Sequence, residues 1–116
     1  MKIACYNSIK FGENVEVGWD CLFMDTDFHR LTRDDGTKTK GYGSINIGDN
    51  VWFGCGCRIF KQSVIPSKCV VSAQTIISET LNGPERSILW NPHSIQVKAN
   101  GYYRDYKDDK IDYTIE

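Results

Sequence analysis

Large apolar residues recur along the middle of the chain with a spacing of six. Written from Ile47, successive blocks read IGDNVW, FGCGCR, IFKQSV, IPSKCV, VSAQTI and ISETLN. Each block opens on a large apolar residue: Ile47, Phe53, Ile59, Ile65, Val71 and Ile77. The fifth place of the first five blocks is small or β-branched, with Val51, Cys57, Ser63, Cys69 and Thr75. The same frame runs upstream through CYNSIK, FGENVE, VGWDCL and FMDTDF, whose openers are Cys5, Phe11, Val17 and Phe23. Their fifth places are Ile9, Val15, Cys21 and Asp27, and Gly12, Gly18, Gly48 and Gly54 occupy second places.

A period of six is not helical. It suits a short strand followed by a tight turn, stacked so that each strand pairs with the one a coil later. A fifth-place residue and the next opener are two apart, so they share a strand face and point inward together. The second-place glycines are read as permitting the turn. Three blocks make one triangular coil of about 18 residues. The pattern therefore predicts an all-β fold, a parallel β-helix of hexapeptide repeats. A β-sandwich with chance spacing is the alternative, and alternation alone does not predict a shared six-residue frame.

The frame fails between Phe28 and Ile45, where HRLTRDDGTKTKGYGS is polar and lacks the expected openers. It resumes in phase, so the segment reads as a loop thrown outward from an intact solenoid. Loops on rigid scaffolds carry function disproportionately. After Asn82 the repeat ends, and the remaining tail is expected to cap the last coil, as solenoids require. One domain over 1–116 is expected, with repeats at about 5–28 and 41–82, a loop at about 29–44 and a tail at 83–116.

Composition narrows the function classes. Fourteen basic and 15 acidic residues leave a net charge of −1, with no general pull toward nucleic acid or an anionic membrane. No apolar run approaches the roughly 20 residues of a bilayer span. The start MKIACYNSIK lacks the apolar stretch of a secretory signal, so a cytoplasmic location is expected. Five cysteines without such a signal suggest free thiols, and Cys55 and Cys57 lack the spacing of a zinc site. In the repeat, Cys21, Cys57 and Cys69 are small core residues.

INIGDNVWFGCGCRIF, IPSKCVVSAQTIIS and WNPHSIQVK resemble the hexapeptide-repeat acyltransferases, which fold as left-handed parallel β-helices. The similar branch is that of the maltose, galactoside, xenobiotic and polysaccharide O-acetyltransferases. Its Val-Trp-Ile-Gly element is matched by Val51, Trp52, Phe53 and Gly54, its Gly-Ala-Gly-Ser element loosely by Ser72–Thr75, and its Gly-Asn-Pro-Ala element by Asn91 and Pro92. The resemblance covers roughly residues 11 to 98. It implies acetyl-CoA as donor, no metal, a small-molecule or glycan acceptor, and a homotrimer with the site between subunits. By matching position it places Trp52, Gly54, Ser72, Ala73, Ser78 and Lys98 along the donor. Packing at a subunit contact competes for Trp52, and a solvated charge for Lys98.

The same resemblance draws attention to DTDFH, residues 25 to 29, just ahead of the loop. Transfer to an alcohol or amine requires a base as the nucleophile attacks the thioester, and histidine titrates near neutrality. His29 is the candidate base. Asp27, two residues earlier and roughly 7 Å away at Cα if the strand continues, is a candidate orienter. Asp25 is a further one. A surface loop histidine is the plain alternative for His29. His93 reads as a surface residue, and the loop cations Arg30, Arg33, Lys38 and Lys40 as solvated. The competing function is a non-catalytic, shortened solenoid serving as scaffold or assembly subunit, which acetyl-CoA binding would distinguish. A zinc hydratase on this fold needs three histidines per site, and the chain has two.

Overall fold

The structure is a computed structural model and describes residues 1–92, 99–105 and 107–108. The described residues wind through four stacked coils. The first holds β1 (Lys2–Ala4), β2 (Ile9–Phe11) and β3 (Glu16–Val17). The second begins with β4 (Leu22–Met24), leaves as an arm containing β5 (Thr32–Arg33), and returns through β6 (Ile45–Ile47) and β7 (Trp52–Phe53). The third holds β8 (Arg58–Phe60), β9 (Val64–Ile65) and β10 (Val70–Val71). The fourth holds β11 (Ile76–Ile77) and β12 (Ile88–Leu89), and β13 (Tyr102–Tyr103) follows in the tail. Three parallel sheets result, in orders β1-β4-β8-β11, β2-β6-β9 and β3-β7-β10-β12. This is the all-β parallel β-helix that the six-residue frame predicts.

The frame describes the core residue by residue. The openers from Ile47 to Ile77 are all 5 % exposed or less. So are the fifth-place residues Val51, Cys57, Ser63, Cys69 and Thr75. The hydroxyl of Ser63 is satisfied inside, donating to the carbonyls of Phe60 (2.7 Å) and Ile77 (3.0 Å). Phe11, Phe23 and Phe53, one from each parallel sheet, meet edge to face at 5.0 and 5.1 Å across the core. Apolar burial of this kind stabilises by roughly 25 cal/mol per Å².

The in-phase frame has a simple cause. Asp49 and Ser67, in adjacent coils, lie 18 positions apart, whereas Glu13 and Asp49, also in adjacent coils, lie 36 apart. The arm therefore adds one coil's worth of residues without shifting the register.

Two expectations are corrected. The second-place glycines do not supply the turn: none of Gly12, Gly18, Gly48 and Gly54 has positive φ. They are there because the next coil lies against them. A Cβ on Gly48 would sit 2.6 Å from Ser67 N, and one on Gly54 2.7 Å from Ala73 N. The turns are made at the fourth place, where Asn14, Asp20, Asn50, Gln62, Lys68, Gln74 and Arg86 all adopt φ between 56 and 70°. Asn and Asp tolerate that left-handed region best among residues with side chains. The second correction is at the start: Cys5 is exposed, and Ile3, not Cys5, pairs with Phe23. The first corner therefore carries two extra residues.

Burial divides the thiols. Cys21, Cys57 and Cys69 are buried, Cys5 and Cys55 exposed, and all five are free. Burial pushes the Cys57 thiol up to about 11. Cys5 is also raised, by desolvation first and then by the neighbouring Asp25 carboxylate. A disulfide-exchange reagent at neutral pH is expected to label two thiols in the native protein, Cys55 the faster, and five in denaturant. Three or more fast native thiols would contradict the core described here.

The fourth coil closes with its own side-chain device. Asn91 accepts from Ile76 N–H through Oδ1 (2.5 Å) and donates to Ile76 C=O through Nδ2 (2.9 Å). Its amide occupies the place of a further strand against β11, which is how an edge is closed. Residues 93–98 lie outside the described part, and with them His93 and Lys98. Among the described residues, no helix is long and apolar enough to cross a membrane.

Candidate functional site at the root of the arm

The arm leaves the corner between β4 and β6 as a hairpin. Asp27 N–H donates to Gly41 C=O (2.8 Å), Gly43 N–H to Asp25 C=O (3.0 Å), and Thr39 N–H to Leu31 C=O (2.8 Å). The polar segment read as a loop is thus two antiparallel legs, with an Asp34-Asp35-Gly36 tip where Gly36 takes φ +88°.

The three candidate residues of DTDFH separate at the arm's root. Asp25 is fully buried, and its carboxylate accepts from the N–H groups of Tyr6, Asn7 and Ser8, each at 2.7 Å. Such bonds to an ionised acceptor are worth about 1.5–3 kcal/mol each and offset the burial of the charge. They also hold in place the corner that carries two extra residues. Asp25 is therefore an anchor of the first coil, and both its oxygens are engaged away from His29. Asp27 is exposed rather than inward and pairs with Lys61 at 2.5 Å. The strand does not continue past it, because Phe28 takes φ +61°. The N–H of Phe28 donates to Thr26 Oγ1 (3.0 Å), which is itself buried. Turning the chain here removes the alternation that would have put Asp27 and His29 on one face.

His29 stands half-buried just beyond this turn. Its Nδ1 is buried and has no hydrogen-bond partner among the described residues. A buried ring nitrogen left unpaired costs free energy, and such exceptions in a native structure call for an explanation. A polar group supplied by a ligand or by a neighbouring subunit would satisfy it.

The other candidates fall into two groups. Trp52 projects outward from β7, 54 % exposed, in register with Val70 and then Ile88, which is 69 % exposed. Gly54 lies at the following corner, directly against Ala73 of the next coil, with Ser72 beside it. Side chains at Gly54, Ser72 and Ala73 are small, and the exposed Trp19 and Trp90 stand at the same corner in the coils on either side. Ser78 lies one corner further on, after β11, on the edge of the prism from which the arm departs. Ser78 and His29 therefore share an edge two coils apart, roughly 10 Å along the axis at ordinary strand spacing. Trp52, Gly54, Ser72 and Ala73 lie across the β4-β8-β11 face from it.

Lys61 and Phe28 are residues that the sequence pattern did not single out. Lys61 sits at a corner of the third coil, 34 positions from the carboxylate it meets, and carries no local signal. Among the described residues, no group of three or more His, Cys, Asp or Glu side chains could hold a metal ion.

No protein-family model matches the sequence, and no curated protein does. A solved structure that is similar is that of a maltose O-acetyltransferase from Clostridium difficile 630, with 22% identity and a TM-score of 0.49. The match covers 76% of this chain and 60% of that one, so the chain spans less than two thirds of the length of that protein.

Proposed function

We propose that this chain is an acetyltransferase that moves an acetyl group from acetyl-CoA to a hydroxyl or amine of a sugar, glycan precursor or similar small acceptor. The observation that carries the reading is His29: a histidine at the root of an arm on a rigid solenoid, with one buried ring nitrogen unpartnered among the described residues. The motif resemblance around Trp52, Gly54, Ser72 and Ala73 supports it independently, the last three placing small side chains together at one corner.

His29 takes the acceptor proton as its oxygen or nitrogen attacks the thioester carbonyl. The tetrahedral intermediate collapses with loss of the CoA thiolate, so no covalent enzyme intermediate is needed. Neither Asp25 nor Asp27 supplies an orienting bond to His29 within one chain, given their engagement with the first corner and Lys61. Among the described residues no other group bonds His29 Nδ1, and a group of the substrate or of a neighbouring subunit would orient it.

The separation of the two groups of candidates favours a homotrimer. Within one subunit the Gly54–Ala73 corner and the arm occupy different edges of the prism. A cyclic assembly sets the corner of one subunit beside the arm of the next and covers the exposed row of Trp52, Val70 and Ile88. Acetyl-CoA lies along that corner, with Ser78 presented from the arm's edge of the neighbouring subunit; Lys98, the remaining donor candidate, lies outside the described residues. The cell location that accompanies this reading is the cytoplasm.

Calorimetric titration with acetyl-CoA, together with the mass in solution, tests it. Micromolar binding to a trimer is the expected result. A chain that stays monomeric and takes up no acetyl-CoA would favour the non-catalytic scaffold instead.

A further inference from the structure

An isolated two-stranded hairpin is marginally stable in water, and a third strand or a packed surface is needed to fix it. The arm meets this problem directly, since it projects from the solenoid on two short legs. The tail supplies the missing strand. Its β13 pairs antiparallel with β5, Tyr102 opposite Arg33 and Tyr103 opposite Thr32. The Arg33 guanidinium lies over the Tyr102 ring, 5.4 Å from its centroid.

Beyond β13 the tail turns and closes on the arm's root. Asp108 accepts a two-point bond from Arg30, at 3.2 Å from Nε and 3.3 Å from Nη2. The two side chains are only 13% and 7% exposed, which sets this pair apart from an ordinary surface ion pair. Lys38, on the opposite leg, meets Asp105 and Asp108 at 3.6 and 3.5 Å. One carboxylate thus ties both legs together, and Arg30 is the residue next to His29.

We propose that the tail, through residues 101–105 and 107–108, is a clamp that holds the arm in one conformation, and that Asp108 is a positioning residue for His29 through Arg30. The catalytic half of this rests on the proposed function; the structural half does not. Of the arm's cations, Arg30 and Lys38 pair with the tail's carboxylates, Arg33 lies over the tail's Tyr102, and Lys40 lies over Tyr42 within the arm, so three of the four meet the tail.

Hydrogen exchange of the full-length protein, read by mass spectrometry, separates the two halves. In Asp108→Ala and in Tyr102→Ala, the amides of Leu31, Arg33 and Thr39 are expected to exchange at least about tenfold faster. The buried thiols Cys21, Cys57 and Cys69 should stay protected in both, reporting an intact solenoid. In transfer assays kcat is expected to fall about tenfold in Asp108→Ala with the KM for acetyl-CoA unchanged, and Asp108→Glu should recover part of it. Wild-type exchange in both variants with the solenoid intact would overturn the clamp. Faster exchange with kcat unchanged would overturn the positioning role. If the wild-type protein transfers no acetyl group, the proposed function fails and the positioning role with it, while the exchange rates still decide the clamp.

Discussion

Replacing His29 with alanine is expected to lower acetyl transfer by about 10²–10⁴-fold, the usual contribution of a positioned general base. Acetyl-CoA affinity and thermal stability should change little. The stability expectation follows from the geometry: His29 is only half-buried, and its Nδ1 bonds to no described residue, so truncation removes no described hydrogen bond at that atom and relieves a buried polar atom of its unpaired state. The affinity expectation follows from the roles assigned: the donor's contacts lie along the Gly54–Ala73 corner, whereas His29 acts on the acceptor's proton. Release of CoA thiol, followed with a candidate sugar acceptor, is the measurement. Turnover retained at the wild-type rate would remove His29 from the mechanism. Loss of acetyl-CoA binding instead of turnover would mean the histidine is part of the donor site.

Replacing Val71 with aspartate is expected to abolish the folded state. Val71 is 0% exposed, and β10 sets it between Phe53 of β7 and Leu89 of β12. A carboxylate there has no donor to meet and is expected to cost several kcal/mol, a large share of the roughly 5–15 kcal/mol by which domains are stable. Val70→Asp is the control, because its side chain points to the opposite face of the same strand and is partly exposed. Circular dichroism and the count of reactive thiols report both. A folded Val71→Asp protein with three protected thiols would refute the assigned strand face.

Asp25 shows why that expectation is not a general ban on buried carboxylates. It too is 0% exposed, yet three backbone N–H groups converge on it at 2.7 Å. The difference lies in the donors, which the first corner presents because its two extra residues leave those N–H groups outside any strand. At Val71 the neighbouring N–H groups are already spent on the sheet, as where Ser72 N–H donates to Leu89 C=O.

The sequence by itself determined the solenoid and its core. The inward positions from Ile47 to Ile77 follow from a local rule: alternation along a strand, repeated every six residues, assigns each side chain a face whatever the rest of the chain does. The arm's place and its in-phase return were legible for the same reason, since an excursion that fits between two coils leaves the frame untouched. What only the tertiary structure decided are the contacts between residues far apart in sequence. Asp25 reaches back 17 to 19 positions to the first corner, Asp27 finds Lys61 34 positions on, and Arg30 finds Asp108 78 positions on. The true reason for Gly48 and Gly54, the approach of the next coil rather than the turn, belongs to the same class. Such pairings depend on which corners and legs are stacked together in space. The six-residue pattern fixes the direction of each side chain but carries no information about its partner.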